Sequence, residues 1–354
     1  MGMGFCPADS FADTRAAIEA SVAADRHGSL RFTYADPVTA SDVRLSFPWA
    51  SSLVVAGYPY LPAAGSPGAG APGTGRVARF ASADHYTPLR EGLGRLATVL
   101  SGAGHRAQVL ADDSRLVDRA AAVRAGSGWW GKSSMVLAPR HGPWLLLGSV
   151  VTDAPLETGV PMKRACGKCR DCLDACPTGA LVSPGVLDAR RCLANWCQAP
   201  GIIPRPIRRE MGDRWYGCDS CLEACPPGRR LLALSTTPSG RVDLRQVLAA
   251  DDRTLLASWS HLYIPRRQAR FLRRNALVAL GNSRGAGASE AVIPYLSHPD
   301  RLLRVHAAWA LGELGGAAAG TALVAALRCE ADSEVVGEIE AGLAAAAGIG
   351  SVPE

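Results

Sequence analysis

The sequence predicts a chain of three parts: an α/β (or α+β) domain over residues 1–160, a cysteine-rich domain over 161–230, and a C-terminal α-helical repeat domain over 231–354. Three observations support this division. Strand-like and helix-like segments alternate in the first part, seven of the 11 cysteines fall in two short runs in the second, and a helical motif recurs in the third. A chain of 354 residues is also longer than one hydrophobic core usually serves.

The composition is that of a globular protein, with 48% hydrophobic and 20% charged residues. The N-terminus has no basic segment followed by an apolar run, and the apolar stretches are too short to cross a bilayer. We therefore expect neither a secretory signal nor a membrane partner. The expected location is the cytoplasm, where clustered cysteines bind metals more often than they form disulfides. A net charge of +6 is compatible with a nucleic-acid partner but does not require one.

In the first domain, apolar runs predict strands over residues 52–60, 105–112, 134–144 and 144–152. Helical patterns predict helices over 13–26 and 88–104. Such alternation is typical of α/β and α+β domains. Between Pro62 and Gly75 lies a stretch rich in Pro, Gly and Ala, which we expect to form a mobile surface loop.

The third domain contains an internal repeat. The segment "RRNALVALGNS", which begins at Arg273, aligns with "RVHAAWALGEL", which begins at Arg304, at an offset of 31 residues. The segments "VIPYL" and "LVAAL" share that offset, and "EIEAGLAAAAG" is a candidate third copy. A helical repeat of this length is typical of HEAT-like repeats, in which helix pairs stack on one another. The alternative is an alanine-rich helical tail without a repeat architecture.

The first cysteine run, "CGKCRDCLDACP", spaces its cysteines at intervals that suit an iron–sulfur cluster better than zinc. Zinc sites usually combine two CxxC pairs across a longer loop. Here three cysteines form CxxCxxC, and a fourth follows after three residues and precedes a proline. That spacing is the run of bacterial ferredoxins, whose first three cysteines bind one [4Fe–4S] cluster while the fourth binds a second. The four residues are Cys166, Cys169, Cys172 and Cys176.

Two clusters need eight ligands, so four more cysteines are required. The second run, "YGCDSCLEACPPG", supplies Cys218, Cys221 and Cys225, and the eighth ligand must be Cys192 or Cys197. Exchange of the fourth cysteine between the runs places Cys225 with Cys166, Cys169 and Cys172, and places Cys176 with Cys218, Cys221 and the eighth ligand. Zinc or unrelated thiols are the alternatives. Cys6 and Cys329 stand apart from these runs, and we expect them to be buried apolar residues.

The order of motifs from about residue 50 to the C-terminus resembles the epoxyqueuosine reductase family, cobalamin-dependent iron–sulfur enzymes that complete queuosine in tRNA. The resemblance rests on "RVARFASADHY", "LADDSRLVDRAAAVRAGSGWWGKSSMVL", the cysteine runs, "LDARRC", "MGDRWYGCDSCLEACP" and the helical repeats. It implies a reductase that converts epoxyqueuosine to queuosine at the wobble position of tRNA. It also implies an N-terminal cobalamin-binding domain, two [4Fe–4S] clusters in a ferredoxin-like domain and a low-potential electron donor. We expect the enzyme to act as a monomer.

The resemblance assigns roles to residues in three segments. Asp112 matches the position of the family's proposed proton donor; Asp113 is a rival, and an aspartate that caps the following helix is the alternative. Cys192 matches the family's eighth cluster ligand. The cobalamin pocket would be lined by Arg79, His85, Tyr86, Gly128, Trp129, Trp130 and Lys132. From the residues alone, these segments could equally be a solvated turn and a tight turn with aromatic core residues.

Basic residues are concentrated in residues 205–210, 266–274 and 301–304. Beside a tRNA-modifying enzyme they would bind RNA phosphates, among them Arg266, Arg267, Arg273 and Arg274. The alternative is an ordinary solvated helical face.

Two other functions fit the same motifs. The first is a cobalamin-dependent iron–sulfur reductase of a small molecule, related to reductive dehalogenases, and the second is a ferredoxin-like electron carrier. The chain also departs from the family pattern, with Ser114 and Arg115 where a small residue and a proline are usual, and with a different stretch after Cys192. These departures weaken the assignment of the substrate and leave the cluster and cobalamin predictions intact.

Overall fold

The computed structural model describes residues 2–61, 71–234, 240–285 and 287–349, with the side chains of 347–349 left out. The strands are β1 Gly2–Pro7, β2 Ser52–Pro59, β3 Thr74–Val77, β4 Ala107–Leu110, β5 Trp129–Trp130, β6 Val136–Leu137, β7 Leu145–Thr152, β8 Leu181–Ser183, β9 Val186–Leu187, β10 Arg214–Tyr216 and β11 Arg241–Asp243.

The helices of the first half are α1 Ala12–Ala23, α2 Pro37–Ser41, α3 Val43–Ser46, α4 Tyr86–Gly102, α5 Asp118–Arg124, α6 Asp171–Asp174, α7 Leu193–Gln198, α8 Arg205–Met211, α9 Ser220–Ala224 and α10 Pro226–Leu234. Those of the second half are α11 Leu244–Ala249, α12 Asp252–Ser258, α13 Arg270–Ser283, α14 Ala288–Val292, α15 Arg301–Leu314, α16 Gly316–Leu327 and α17 Ser333–Ile349. Short 3₁₀ turns lie at Arg79–Ala81, Pro265–Arg267 and Ile293–Ser297.

The chain forms two compact units, each built from three separate segments. The first comprises Met1–Pro67, Ala83–Cys192 and Asp219–Pro238; the second comprises Gly68–Ser82, Leu193–Cys218 and Ser239–Glu354. These units group the residues by spatial contact. The three contiguous domains inferred from the sequence, 1–160, 161–230 and 231–354, stay a prediction.

The first unit is organised by a sheet of four strands in the order β1-β2-β7-β4, in which every neighbouring pair is antiparallel. Of the two fold classes expected for this part, the antiparallel pairing corresponds to α+β. Leu53 and Val55 of β2 are fully buried, as is Val151 of β7, in a core that also includes Ala121 of α5. Helix α4 packs against β7, and α5 packs against β1, β2 and β7.

Most elements expected in this part are confirmed. Strands β2, β4 and β7 and helices α1 and α4 lie where the sequence predicts them. The strand expected over 134–144 is reduced to the two residues of β6, and β1 is an additional strand that we did not predict. Most of the expected loop, residues 62–70, lies outside the described residues, and Thr74 and Gly75 at its end belong to β3.

The second unit contains a sheet in the order β10-β3-β11, with β3 parallel to β10 and antiparallel to β11. A side chain at Gly75 of β3 would meet Leu244 at 2.5 Å and Trp215 at 2.8 Å, so only glycine fits there. The sheet is supported by α13, which packs against β3 and β10. Residues of these elements share one core with the C-terminal helices.

The predicted repeats are confirmed as helices of equal length. Helices α13 and α15 each have 14 residues, and they pack against each other while α15 packs against α17. Glycines permit the close approach, because a side chain at Gly281 would lie 2.9 Å from the Cα of Ala310 and one at Gly312 would lie 2.6 Å from that of Gly342. The candidate third copy lies in α17.

Candidate active site and cysteine sites

Asp112 lies in the segment between β4 and α5 of the first unit and has a left-handed backbone conformation, with φ of 55°. Aspartate adopts this conformation more readily than most residues with a side chain. The residue as a whole is exposed. Neighbouring groups nevertheless exclude part of the water from its carboxyl, and this desolvation raises its pKa. The Arg90 guanidinium opposes this rise in pKa, and the Asp113 carboxylate adds to it. Asp112 is therefore a carboxyl group that holds its proton more readily than an ordinary aspartate.

Asp113, the sequence-level rival, is held in an ion pair. The guanidinium of Arg115 donates from Nε to Oδ1 at 2.9 Å and from Nη2 to Oδ2 at 2.6 Å. These hydrogen bonds lower the pKa of Asp113. At neutral pH it is an anion with no proton to donate, so the structure favours Asp112 as the acid of the pair.

A third carboxyl group, which we did not single out from the sequence, belongs to the same cluster. Asp118 is the first residue of α5, and its Oδ1 is buried without a hydrogen-bond partner among the described residues. Burial raises its pKa well above the usual value, and the Asp112 carboxylate raises it further. The available signal was that Asp118 lies six residues after Asp112, at the start of a helix in the same family-like segment.

Tyr86, predicted to line the pocket, lies within electrostatic reach of both carboxyls. Burial is the main reason that its phenol pKa is raised, and the charges of Asp112 and Asp118 add to the effect. Arg90 and Arg119 act in the opposite direction. We call Tyr86, Asp112 and Asp118 the acid cluster.

The other predicted pocket residues have varied surroundings. The His85 ring lies 6.2 Å from the ring centre of Tyr58 and 5.9 Å from that of Tyr60. Arg79 is 6% exposed and belongs to the second unit. A side chain at Gly128 would meet the carbonyl oxygen of Leu137 at 2.6 Å, so the packing of the hairpin β5-β6 already requires this glycine.

The two tryptophans of "GSGWWGKSS" are not both core residues. Trp130 is 44% exposed, which is high for a large aromatic side chain. Trp129 is half-buried, and the guanidinium of Arg164 lies 5.4 Å from its ring centre. Trp130 therefore presents an aromatic surface to solvent close to the hairpin turn.

Lys132 contacts the first cysteine run. Its Nζ donates to the carbonyl oxygens of Gly167 at 2.6 Å and Cys169 at 2.9 Å, and its place in the lining of a cobalamin pocket stays a prediction. The ammonium group satisfies two backbone acceptors in the first cysteine run, and it thereby holds that loop in place.

Four of the predicted cluster ligands lie close together in the first unit. Helices α6 and α9, which contain Cys172 and Cys221, lie within the two cysteine runs and pack against each other, and Cys225 follows directly after α9. Burial, and to a smaller extent the nearby Cys166, Cys172 and Cys169, raise the pKa of the Cys225 thiol to about 11. A bound metal would reverse this preference and keep the thiols deprotonated.

The arrangement around Cys225 differs from that of a mononuclear site. Within the part of the chain that the structure describes, no three His, Cys, Asp or Glu side chains are arranged to hold a single metal ion. A [4Fe–4S] cluster separates its four cysteines by the width of the cluster itself, so the two observations are compatible.

The remaining predicted ligands are divided between the units. Cys176, Cys192 and Cys221 are half-buried residues of the first unit, whereas Cys218 belongs to the second. The sulfur of Cys176 accepts a hydrogen bond from the backbone N–H of Ala180 at 3.2 Å. Backbone donors of this kind stabilise a thiolate ligand.

Cys197, the rival for the eighth position, is a core residue of the second unit. It is 2% exposed, its thiol faces the Gly217 carbonyl at 3.9 Å, and its own carbonyl accepts from the Asn275 amide at 2.8 Å. Its surroundings favour Cys192 as the eighth ligand.

The two cysteines expected to be buried have different outcomes. Cys6 is fully buried in β1, as predicted, and burial raises its pKa to about 11. The prediction for Cys329 is wrong: this residue is exposed, because it lies just beyond the end of α16, where the chain leaves the helical core.

Most arginines of the predicted phosphate-binding stretches are engaged within the second unit. Arg274 is fully buried and donates to the carbonyl oxygens of Trp196, Ala199 and Gly201 at 2.7–2.8 Å. Arg208 and Arg273 are also buried. The prediction that Arg273 and Arg274 lie on a phosphate-binding surface is therefore wrong. The sequence pattern could not show it, because their partners lie far away along the chain.

Ion pairs engage further arginines of these stretches. Arg205 pairs with Glu338 at 2.9 Å, Arg209 with Glu313 at 2.7 Å, and Arg304 with Glu330 at 2.7 Å. Arg266 differs, since it is exposed and has no hydrogen-bond or ion-pair partner among the described residues.

Replacing Arg274 with alanine should destabilise the protein by at least about 3 kcal/mol, because each buried carbonyl left without a donor costs about 1–3 kcal/mol. The midpoint of urea unfolding, followed by circular dichroism, measures the effect. Arg328 is exposed and without a partner among the described residues, so Arg328→Ala is the control, with an expected change under about 0.5 kcal/mol. Equal stability of the two variants would contradict the buried role of Arg274.

Two parts of the chain match known protein families. Residues 165–228 match the 4Fe-4S double cluster binding domain, and residues 268–344 match HEAT repeats. Both matches agree with the motifs found in the sequence, and the second favours a repeat architecture over an alanine-rich tail. Among the described residues, no helix combines the length and the apolar character needed to span a bilayer.

Longer matches come from proteins of one family. Epoxyqueuosine reductase of Bacillus subtilis (strain 168) is 34% identical over 313 residues, which cover 85% of this chain and 81% of that protein. A solved structure of epoxyqueuosine reductase with an epoxyqueuosine-modified tRNA-Tyr stem loop has a TM-score of 0.86 at 31% identity, covering 98% of this chain and 94% of its own. A Bacillus subtilis structure, in which a catalytic aspartate loop is swung out of the active site, has a TM-score of 0.86 at 32% identity, with coverages of 97% and 94%.

Proposed function

This chain belongs to the epoxyqueuosine reductase family, and we infer from that membership that it reduces epoxyqueuosine to queuosine in tRNA. The observation that carries the inference is the match to the Bacillus subtilis enzyme over 81% of its length, together with the carboxyl groups of Asp112 and Asp118 in one segment that matches the family motif. The same match favours this function over a small-molecule reductase or an electron carrier. Removal of an epoxide oxygen as water, with formation of a carbon–carbon double bond, consumes two electrons and two protons.

We propose that the electrons pass through two [4Fe–4S] clusters. The first would be held by Cys166, Cys169, Cys172 and Cys225, and the closeness of these four thiols supports it. The second would be held by Cys176, Cys192, Cys218 and Cys221, and the match to a double-cluster domain supports a second cluster. Lys132 would keep the loop of the first cluster rigid through its two carbonyl contacts.

We propose cobalamin as the cofactor of the first unit, bound beside the acid cluster. The residues fit it in two respects: Asp118 Oδ1 is a buried acceptor that lacks a donor, and Trp130 offers exposed aromatic surface. The side-chain amides of a corrinoid are donors, and its ring is a broad apolar body. His85, Tyr86, Gly128 and Trp129 would complete the lining on this unit. When bound, cobalamin supplies a reduced cobalt centre that can pass electrons to the substrate.

Within this site the chain contributes the proton. Asp112 would donate from its carboxyl to the epoxide oxygen, because its raised pKa keeps the proton available at a pH where Asp113 has lost its own. Desolvation and the Asp113 carboxylate would keep that proton on Asp112 against the opposing effect of the Arg90 guanidinium, and the buried groups of Asp118 and Tyr86 would lie beside it.

The function is tested by turnover of tRNA that contains epoxyqueuosine. Anaerobically reconstituted protein should contain about eight irons per chain and should convert the modified base when given cobalamin and a low-potential reductant. The product is measured by mass spectrometry of the digested tRNA. Protein that holds iron and corrinoid but leaves the base unchanged would contradict the proposal, and one zinc per chain with negligible iron would contradict the cluster assignment.

A further inference from the structure

The segment that carries Asp112, residues 111–117 between β4 and α5, is called the Asp112 loop below. Asp112 itself has a φ of 55°, a conformation that costs free energy in a residue with a side chain and persists only where the surroundings fix it. A backbone hydrogen bond within the loop, from the Leu116 N–H to the Asp113 carbonyl, is long at 3.3 Å. Side chains must therefore contribute to holding the loop.

Asp113 is the residue through which the loop is held. Its Oδ1 accepts the backbone N–H of Arg115 at 3.0 Å. The same carboxylate accepts two further hydrogen bonds from the Arg115 guanidinium, from Nε at 2.9 Å and from Nη2 at 2.6 Å. A planar guanidinium matches the two oxygens of a carboxylate, so the pair has a defined geometry as well as a favourable energy. The Asp113 side chain and the loop backbone are thereby fixed relative to each other.

Arg115 is in turn fixed to the core of the first unit. Its guanidinium carbon lies 4.9 Å from the ring centre of Phe47, within the range of a cation–π contact. Phe47 directly follows α3, is 8% exposed and belongs to the same apolar core as Leu116. The ring of Trp49 meets it edge-on at 5.6 Å. Because the Phe47 ring is held by its neighbours, it gives Arg115 a fixed surface to pack against.

On the other side of Asp112, the loop is held from α4. Arg90 donates from Nη2 to the carbonyl oxygen of Ala111 at 3.3 Å, and its guanidinium lies 5.2 Å from the ring centre of Tyr86. This hydrogen bond is long and exposed, so it restrains the loop less than the two short, charged hydrogen bonds of Arg115 do. Arg115 is therefore the stronger of the two restraints beside Asp112.

We propose that Arg115 is a positioning residue for the reaction: it fixes Asp113, and through Asp113 it holds the Asp112 carboxyl in one orientation. This inference rests on the proposed function, since that function makes Asp112 the acid. Arg115 would act through its contact with Asp113 rather than by touching the substrate. A catalytic group misplaced by about 1 Å can cost as much as 10²-fold in rate, so a restraint on the loop contributes to catalysis.

The first test separates kcat from KM in the full-length, cluster-containing protein supplied with cobalamin. Arg115→Met keeps an apolar stem against Phe47 and removes every donor to Asp113. Its kcat should fall roughly tenfold, less than the loss expected when the proton itself is removed, and its KM for the modified tRNA should be unchanged. Arg115→Lys restores a charge beside Asp113 without the paired donors, and it should recover part of the rate. Arg95→Met replaces an exposed arginine of α4 and should change neither constant.

The second test measures the loop itself and requires no turnover. The backbone N–H groups of Arg115 and Leu116 are both bonded to Asp113, so their exchange with deuterium reports opening of the loop. Arg115→Met should speed exchange in residues 111–117 about tenfold and leave strand β7 unchanged. Asp113→Ala should have at least the same effect. The double variant should exchange no faster than Asp113→Ala alone, because both substitutions remove one shared restraint.

The outcomes separate the possible errors. Unchanged exchange in Arg115→Met would overturn the proposal, as would effects of Arg115→Met and Asp113→Ala that simply add. A raised KM with a normal kcat would make Arg115 a direct contact to tRNA, and the positioning role would be wrong. Should Arg115→Met fail to fold, Arg115→Lys decides by the same exchange measurement, in which a smaller acceleration is expected. A wild-type protein that leaves epoxyqueuosine unchanged, although its loop responds as expected, would count against the proposed function alone.

Discussion

Replacing Asp112 with asparagine should lower the rate of epoxyqueuosine reduction by roughly 10²–10⁴-fold, the range typical of a lost general acid. The substitution keeps the size of the side chain and removes the proton. Because desolvation raises the pKa of Asp112, the wild-type rate should fall as the pH rises through that pKa, and the variant should lack this decline. The assay uses epoxyqueuosine-containing tRNA and an artificial low-potential reductant over a range of pH.

Asp113→Asn is the matched control. The Asp113 carboxylate accepts a hydrogen bond from Arg115 at 2.6 Å, and its lowered pKa leaves it without a proton at neutral pH. Replacing Asp113 should therefore have a much smaller effect on the rate. Cobalamin content, iron content and tRNA affinity should be unchanged in both variants. A near-normal rate in Asp112→Asn would remove Asp112 from the mechanism, and loss of cobalamin from that variant would make it a structural residue of the pocket.

Replacing Cys192 with serine should remove one of the two clusters, which corresponds to about four of eight irons per chain, and should abolish turnover. A cluster that lacks one thiolate loses both a ligand and the electron path that depends on it. Iron analysis and the visible absorption of anaerobically reconstituted protein measure the loss.

Cys197→Ser is the comparison for this variant, because the two cysteines are five positions apart and compete for the same role. Cys197 lies in the apolar core of the second unit with its thiol at the Gly217 carbonyl. The serine variant should therefore keep both clusters, at the cost of some stability. Retention of iron in Cys192→Ser together with its loss in Cys197→Ser would show that the two assignments are reversed.

The sequence was most informative where the signal is local. The spacing of the first cysteine run depends on 11 consecutive residues, and the repeats show themselves through helical periodicity at a fixed offset. Strands β2 and β7 were predictable because both are continuous apolar runs in the middle of a sheet. For the cysteine run and the two strands, the residues that determine the structure lie next to one another in the chain.

The features that could not be predicted depend on distant partners. The burial of Arg274 follows from carbonyl groups more than 70 residues earlier, and the pattern "RRQARFLRR" by itself suggests a surface. Strand β1 is an edge strand whose pairing with β2 spans about fifty residues. The missing donor at the Asp118 carboxyl has no sequence signature, since an aspartate reads the same in the sequence whether or not a donor reaches it.

Strand β3 has a consequence for how the protein is made. Its partners β10 and β11 come much later in the chain, and the side chain of Arg76, within β3, donates a hydrogen bond to Asp213, 137 residues further on. At about 5–20 residues per second, a ribosome needs roughly 7–27 s to synthesise that stretch. During this interval the nascent chain carries an unpaired strand whose N–H and C=O groups can bind other chains. Fragments that stop before Asp243 would keep that liability permanently, so the sheet of the second unit can be completed only after residue 243, about two thirds of the chain, has left the ribosome.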